Sequence, residues 1–124
     1  MSAKAEATRT RIARAAMQLF VEQGIAPTTT RQIAAAAGVA EGTLYRHFPS
    51  KEALAWRLFL EQHHAIGRHL RAAVAKASSC EEAIRAIVAG YCRLADSDWL
   101  AFAYHLLYQQ QEHPEVPKDE NNPL

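Results

Sequence analysis

Residues 29–48 read TTRQIAAAAGVAEGTLYRHF. A short apolar-periodic segment with Ile33, Ala34 and Ala37 stops at Gly38, a turn follows through Gly42, and a second segment carries Leu44 and Phe48. Ala34 is small, so a second helix can cross closely over the first. Gly38 can take the left-handed conformation that ends a helix and opens a tight turn. Val39 and Leu44 are placed to fill the angle between the two segments. The spacing predicts a helix, a glycine turn and a second helix over 30–48, as in a helix-turn-helix. An ordinary helical corner uses the same residue types, so Gly and Ala at this spacing leave both readings open.

The second segment adds chemistry. At about 100° per residue, Leu44 and Phe48 define one side of a helix, while Gly42 and Arg46 point away from it. Thr43, Tyr45 and His47 flank the outward side. That face offers hydrogen-bond donors and one cation, with no acid at its centre. Arg46 suits a guanine edge, and Thr43, Tyr45 and His47 suit phosphate oxygens. Gly42 lets the backbone approach a groove. Lys51, in the first turn of the next helix, opposes that helix's dipole, and an anion contact would offset this. Taken singly, each of these polar residues also reads as a solvated side chain.

Outward from this segment the chain is a series of helices. Ile12, Ala16, Leu19 and Phe20 recur at helical spacing and end at Gly24. Pro27 and three threonines follow, and a threonine there can cap the next helix. Pro49 breaks the second short helix. Ser50 caps a long helix, with Glu52 favourably placed in its first turn and Leu54, Leu58, Ile66, Leu70 and Val74 on one stripe. Ser78 and Ser79 end it. A fifth helix carries Ile84, Ile87, Val88, Tyr91 and Leu94, and a sixth Trp99, Phe102, Ala103, Leu106 and Leu107. From His113 the chain turns polar, with Pro114, Pro117 and Pro123. No strand pattern or internal repeat is visible.

Composition agrees with an all-α chain. Its 124 residues are 49% hydrophobic and 22% charged, with abundant alanine and only five Gly and five Pro. Two cysteines make no disulfide framework. No apolar run reaches the ~20 residues of a membrane span, and the charged, Ala-rich start is unlike a signal peptide. A soluble cytoplasmic protein is expected. Net charge is +1 but uneven. Residues 1–57 hold eight basic and four acidic residues, a surplus of +4; residues 58–124 hold six and nine, a deficit of −3. A basic first half suits a polyanion, although chance asymmetry of surface charge gives the same count.

Several segments together resemble the TetR/AcrR family of bacterial transcriptional regulators. They are Thr8-Arg9-Thr10-Arg11-Ile12 through Leu19-Phe20, Gly24, Thr29 to Ala34, Gly38-Val39, Thr43 to Phe48, and Lys51-Glu52-Ala53-Leu54. The resemblance covers about residues 8–59. It implies an all-α protein: a three-helix helix-turn-helix DNA-binding domain at 6–66, its motif at about 29–48, joined by the long helix to a helical ligand-binding and dimerisation region at 67–124. It implies a non-enzymatic homodimeric repressor that binds a palindromic double-stranded DNA operator and leaves it when a small-molecule effector binds. It carries phosphate contacts to Thr30, Thr43, Tyr45, His47 and Lys51. It carries base contacts to Arg31, Ala40, Glu41, Gly42, Tyr45 and Arg46. It brings no pocket residues, because the second half of such proteins diverges.

Other constellations are weaker. Glu61 and His64 form one Glu-x-x-His pair, and a di-iron bundle needs two plus further carboxylates. His63, His64 and His69 lack the i, i+4 spacing that aims two imidazoles at one ion. Cys80 and Cys92 have no partners for a zinc site. Cys80 at a helix start could hold a thiolate, but an inert cysteine is the simpler reading. No metal, cofactor or catalytic residue is expected. The second half is rich in aromatics, including His105 and Tyr108. Its ligand candidates are His63, Leu70, Tyr91, Trp99, Phe102 and Tyr104, and a plain core or a dimer face accounts for the same residues. An effector would act through the long helix, near His63 to Leu70. The ending Asn122-Pro123-Leu124 resembles a helix start, so the regulatory region is expected to be truncated and this form monomeric or non-specifically associated. The reading from another class is a helical ligand- or metal-binding bundle with no DNA role.

Overall fold

A computed structural model describes residues 2–111 of the chain. Six helices follow in order: α1 (Ala3–Gln23), α2 (Thr30–Ala37), α3 (Glu41–His47), α4 (Lys51–Ala75), α5 (Cys80–Ser97) and α6 (Trp99–Gln110). There is no strand among the described residues. The helix-start reading at Asn122-Pro123 and the polar stretch from His113 lie outside them.

Each boundary has a local cause. Ser2, Thr29, Ser50, Ser79 and Asp98 accept a backbone N–H at the starts of α1, α2, α4, α5 and α6. Each cap supplies one of the acceptors that a helix start lacks and contributes ~1 kcal/mol. Thr29 and Gln32 form a reciprocal capping box. Gly38 stands at φ 71°, ψ 34°, and its N–H closes on the carbonyls of Ala34 and Ala35. The turn therefore uses the conformation expected of Gly38.

The core runs through α1 to α4 and takes in α6. Ile12, Ala16, Phe20, Ile33, Leu44, Leu54, Leu58 and Tyr104 are all essentially inaccessible to solvent. Val39, partly buried, packs against the core cluster that contains Leu44. Tyr104 stacks on Phe20 at 5.8 Å and donates its hydroxyl to the Ala55 carbonyl at 2.5 Å, joining α6 to both α1 and α4. Burial drives its phenol pKa up. Asp98 closes the same corner, capping α6 while it accepts two hydrogen bonds from Arg14, at 2.8 and 3.1 Å.

The second half departs from the sequence reading. The α4 stripe holds at Leu54, Leu58 and Ile66, but Leu70 is half-buried and Val74 is exposed. Leu70 lies against Gly90, the one fully buried residue of α5, where a Cβ would meet its Cδ2 at 3.1 Å. Ile84, Val88 and Tyr91 of α5 and Trp99 and Leu106 of α6 are exposed. Periodicity identified their helices correctly, but the described elements cover these side chains only in part.

Candidate nucleic-acid interface

The two short helices are held from α1. Arg11 donates to the carbonyls of Ala37 and Gly38, at 2.7 and 3.2 Å. These are carbonyls that the end of α2 leaves without helical donors. Lys51, at the start of α4, donates to the Ala26 carbonyl at 3.0 Å in the turn before α2. Sequence reading placed Lys51 against an external anion; an internal carbonyl already takes one of its three donors. The part played by Arg11 was not read from the sequence. Its signal was a cation next to buried Ile12, on the helix that must meet the end of α2.

On α3, Leu44 is fully buried and Phe48 nearly so, while Gly42, Tyr45 and Arg46 are exposed. Nothing lies within 4 Å of the position a Cβ at Gly42 would take. The outward face therefore has a bare backbone patch beside a phenol and a guanidinium. Thr30 of α2 donates to Glu41 at 3.1 Å and lies 2.8 Å from the Tyr45 hydroxyl. With its single proton on Glu41, Thr30 accepts from Tyr45. Arg46 donates to Thr43 at 3.1 Å and makes no ion pair among the described residues. Arg31 is exposed on α2, and Ala40 is exposed at the uncapped start of α3. His47 is half-buried beside Phe48. Thr30, Glu41 and Tyr45 thus form one linked group and Thr43 with Arg46 a second. Lys51 and His47 share no hydrogen bond with either.

The ligand candidates do not converge. Tyr104 is a core residue, Leu70 belongs to the α4–α5 seam, and Tyr91, Trp99 and Phe102 form a separate ring cluster with centroids about 6 Å apart. His63 alone lines a cleft along α4, with Trp56, Phe59, Leu60, His64, Gly67 and Arg71. Its Nδ1 faces Nε2 of buried His105 at 3.3 Å, inside a stack with Phe59 and Tyr108. Burial and the neighbouring His63 lower the pKa of His105. Glu61 pairs with Arg9 of α1 at 2.5 Å rather than with His64. Cys80 and Cys92 are exposed and free. No group of three or more His, Cys, Asp or Glu able to hold a metal occurs among the described residues. No described helix is long and apolar enough to cross a membrane.

Residues 12–58, which include α2, α3 and Lys51, match the model of the bacterial regulatory proteins of the tetR family. That match places the segment 12–58, 47 of the 124 residues, with the TetR family's DNA-binding region. The chain is 41% identical over 69 residues to the HTH-type transcriptional regulator UidR of Escherichia coli K12, covering 55% of this chain and 35% of UidR. It is 50% identical over 46 residues to the HTH-type transcriptional repressor KstR2 of Rhodococcus jostii, covering 37% and 22%. Its fold matches the crystal structure of a gamma-butyrolactone receptor (ArpA-like protein) with a TM-score of 0.82 and 31% identity, covering 94% of this chain and 60% of the receptor. The chain therefore spans about a third or less of these curated relatives and under two thirds of that structure.

Proposed function

We propose that the chain is the DNA-reading part of a transcriptional regulator, a cytoplasmic homodimeric repressor that binds a palindromic operator and is released by a small-molecule effector. The supporting observation is the outward face of α3: open Gly42, exposed Tyr45 and exposed Arg46, with Leu44 buried behind them. A buried anchor fixes the helix while its polar face stays free to meet a groove. Thr30, Thr43, Tyr45, His47 and Lys51 would hold phosphates, and Arg31, Ala40, Glu41, Gly42, Tyr45 and Arg46 would face bases. Thr30 links Glu41 and Tyr45 in the free chain, and Glu41 can accept from a cytosine amine. Similarity to KstR2, a transcriptional repressor, supports repression, and similarity to a gamma-butyrolactone receptor supports a small effector. The domain division at 66/67 belongs to the same reading. A palindrome needs two recognition helices roughly 34–36 Å apart, hence two protomers.

Fluorescence anisotropy on operator DNA selected in vitro, and on a scrambled duplex, tests this. Affinity should fall with salt at a log–log slope of about −0.9 for each phosphate neutralised. Arg46→Ala should lose roughly 1–3 kcal/mol on the operator and little on the scrambled DNA. Equal losses on both would remove Arg46 from base reading. Salt-insensitive binding, or none, would favour the helical bundle with no DNA role.

A further inference from the structure

The α4 cleft has two chemically different ends. Trp56, Phe59 and Leu60 line one, and His63, His64 and Arg71 the other, around a volume of about 260 Å³. Arg71 is exposed and makes no ion pair or hydrogen bond among the described residues. Its guanidinium folds back over Gly67, coming within 2.9 Å of where a Cβ there would stand. The charge thus sits near the level of Gly67, one turn below its own Cα. From Phe59 to Gly67 a helix rises roughly 12 Å. No carboxylate lines the cleft.

We propose that this cleft binds an elongated amphipathic carboxylate, its apolar chain against Trp56, Phe59 and Leu60 and its head on Arg71, with His64 and His63 as hydrogen-bonding neighbours. An uncompensated guanidinium beside an apolar wall fits one anionic end and one greasy end, and a planar fork matches a carboxylate in two-point contact. The volume is small for a ligand site, which limits the occupant to a short or medium chain. The site also has a route to the DNA-binding half. His63 faces His105 of α6, Phe59 stacks on Tyr108 at 4.6 Å, and α6 is fastened to α1 through Tyr104–Phe20 and Asp98–Arg14. That the ligand acts as the effector rests on the repressor reading; that it binds does not.

Octanoate is a suitable probe and 1-octanol its uncharged counterpart, each titrated calorimetrically into the full 124-residue chain without DNA. Octanoate should bind saturably and at least about tenfold more tightly than octanol, a difference of about 1.4 kcal/mol. Arg71→Gln should abolish that preference while leaving octanol affinity unchanged, and Arg71→Lys should restore part of it. Arg71 is exposed on a helix and Gln is a good helix former, so unchanged circular dichroism is expected. No saturable octanoate binding, equal affinity for both probes, or octanoate binding indifferent to Arg71→Gln would overturn the proposal. Anisotropy on DNA without octanoate reports separately on the repressor reading, so failure of one is distinct from failure of the other.

Discussion

α1 and α5 are similar in length, 21 and 18 residues, and both carry apolar residues at helical spacing. α1 buries Ile12, Ala13, Ala16, Met17 and Phe20. α5 fully buries only Gly90, and Ile84 and Val88 remain 57% and 58% exposed. The difference lies in what surrounds each helix. Around α1, the helices α2, α4 and α6 converge, and Tyr104 comes from far along the chain to complete the core. α5 has α4 on one side and α6 on another, with its remaining apolar face covered only in part by the described residues. Periodicity specifies which face of a helix is apolar. Whether that face is buried depends on a second element. The comparison also bears on the boundary placed at 66/67, because α6 lies beyond it and yet packs into the core of the first part.

The strongest way to break this comparison is to remove a ring from the shared core. Phe20→Ala takes away the partner of Tyr104 and leaves a cavity between α1 and α6. A cost of about 3–5 kcal/mol is expected, which is a large part of a small domain's stability. Urea denaturation followed by circular dichroism would measure it. A loss below 1 kcal/mol would mean that the α1–α6 contact is not part of the folded core.

The sequence was most legible where the cause of structure is local. Gly38 marked the turn, Ser50 the start of α4, and Leu44 with Phe48 the inner side of α3, because capping, left-handed backbone and helical period act within a few residues. Contacts over long separations were hidden. Nothing near Tyr104 announces that its hydroxyl will meet Ala55, and Asp98 reads as a helix cap without showing that Arg14 will reach it. The candidate site divides the same way. The outward set on α3 could be read from one helical wheel. The clamp of Arg11 on α2 and the pairing of His63 with His105 require two helices to be packed first.

A smaller effect would sharpen the picture of the α4–α6 seam. Burial and His63 lower the folded-state pKa of His105 below its ordinary value of 6.5. The unfolded chain then binds the proton first as pH falls. Stability from this group is fully present above about pH 6.5 and is lost as pH drops from there through the folded value. Other groups meet the imidazole from the packed helices: His63 and, through Phe59, Tyr108, whose own pKa burial raises. Denaturation midpoints between pH 5.5 and 7.5 should therefore rise with pH. His105→Phe keeps a ring in the stack and should flatten that rise. An equal slope in both proteins would assign the pH dependence to some other group.

The smallest effect is expected on the open face of α5, where it is also the most discriminating. Ile84→Ala removes an aliphatic side chain that is more than half exposed. Little buried area is lost, and alanine is the better helix former, so the two contributions oppose each other. The net change should lie within about 0.5 kcal/mol, as for other surface substitutions. Ile84→Arg should be tolerated nearly as well, because a long cation can lie along a helix with its head in water. Both can be followed by urea denaturation at several protein concentrations. If Ile84→Ala costs more than 1 kcal/mol, or if the effect of Ile84→Arg grows with protein concentration, Ile84 is covered in solution. The contrast between α1 and α5 would then be one between a face closed by its own chain and a face closed by association, and no longer one between a buried face and an open one.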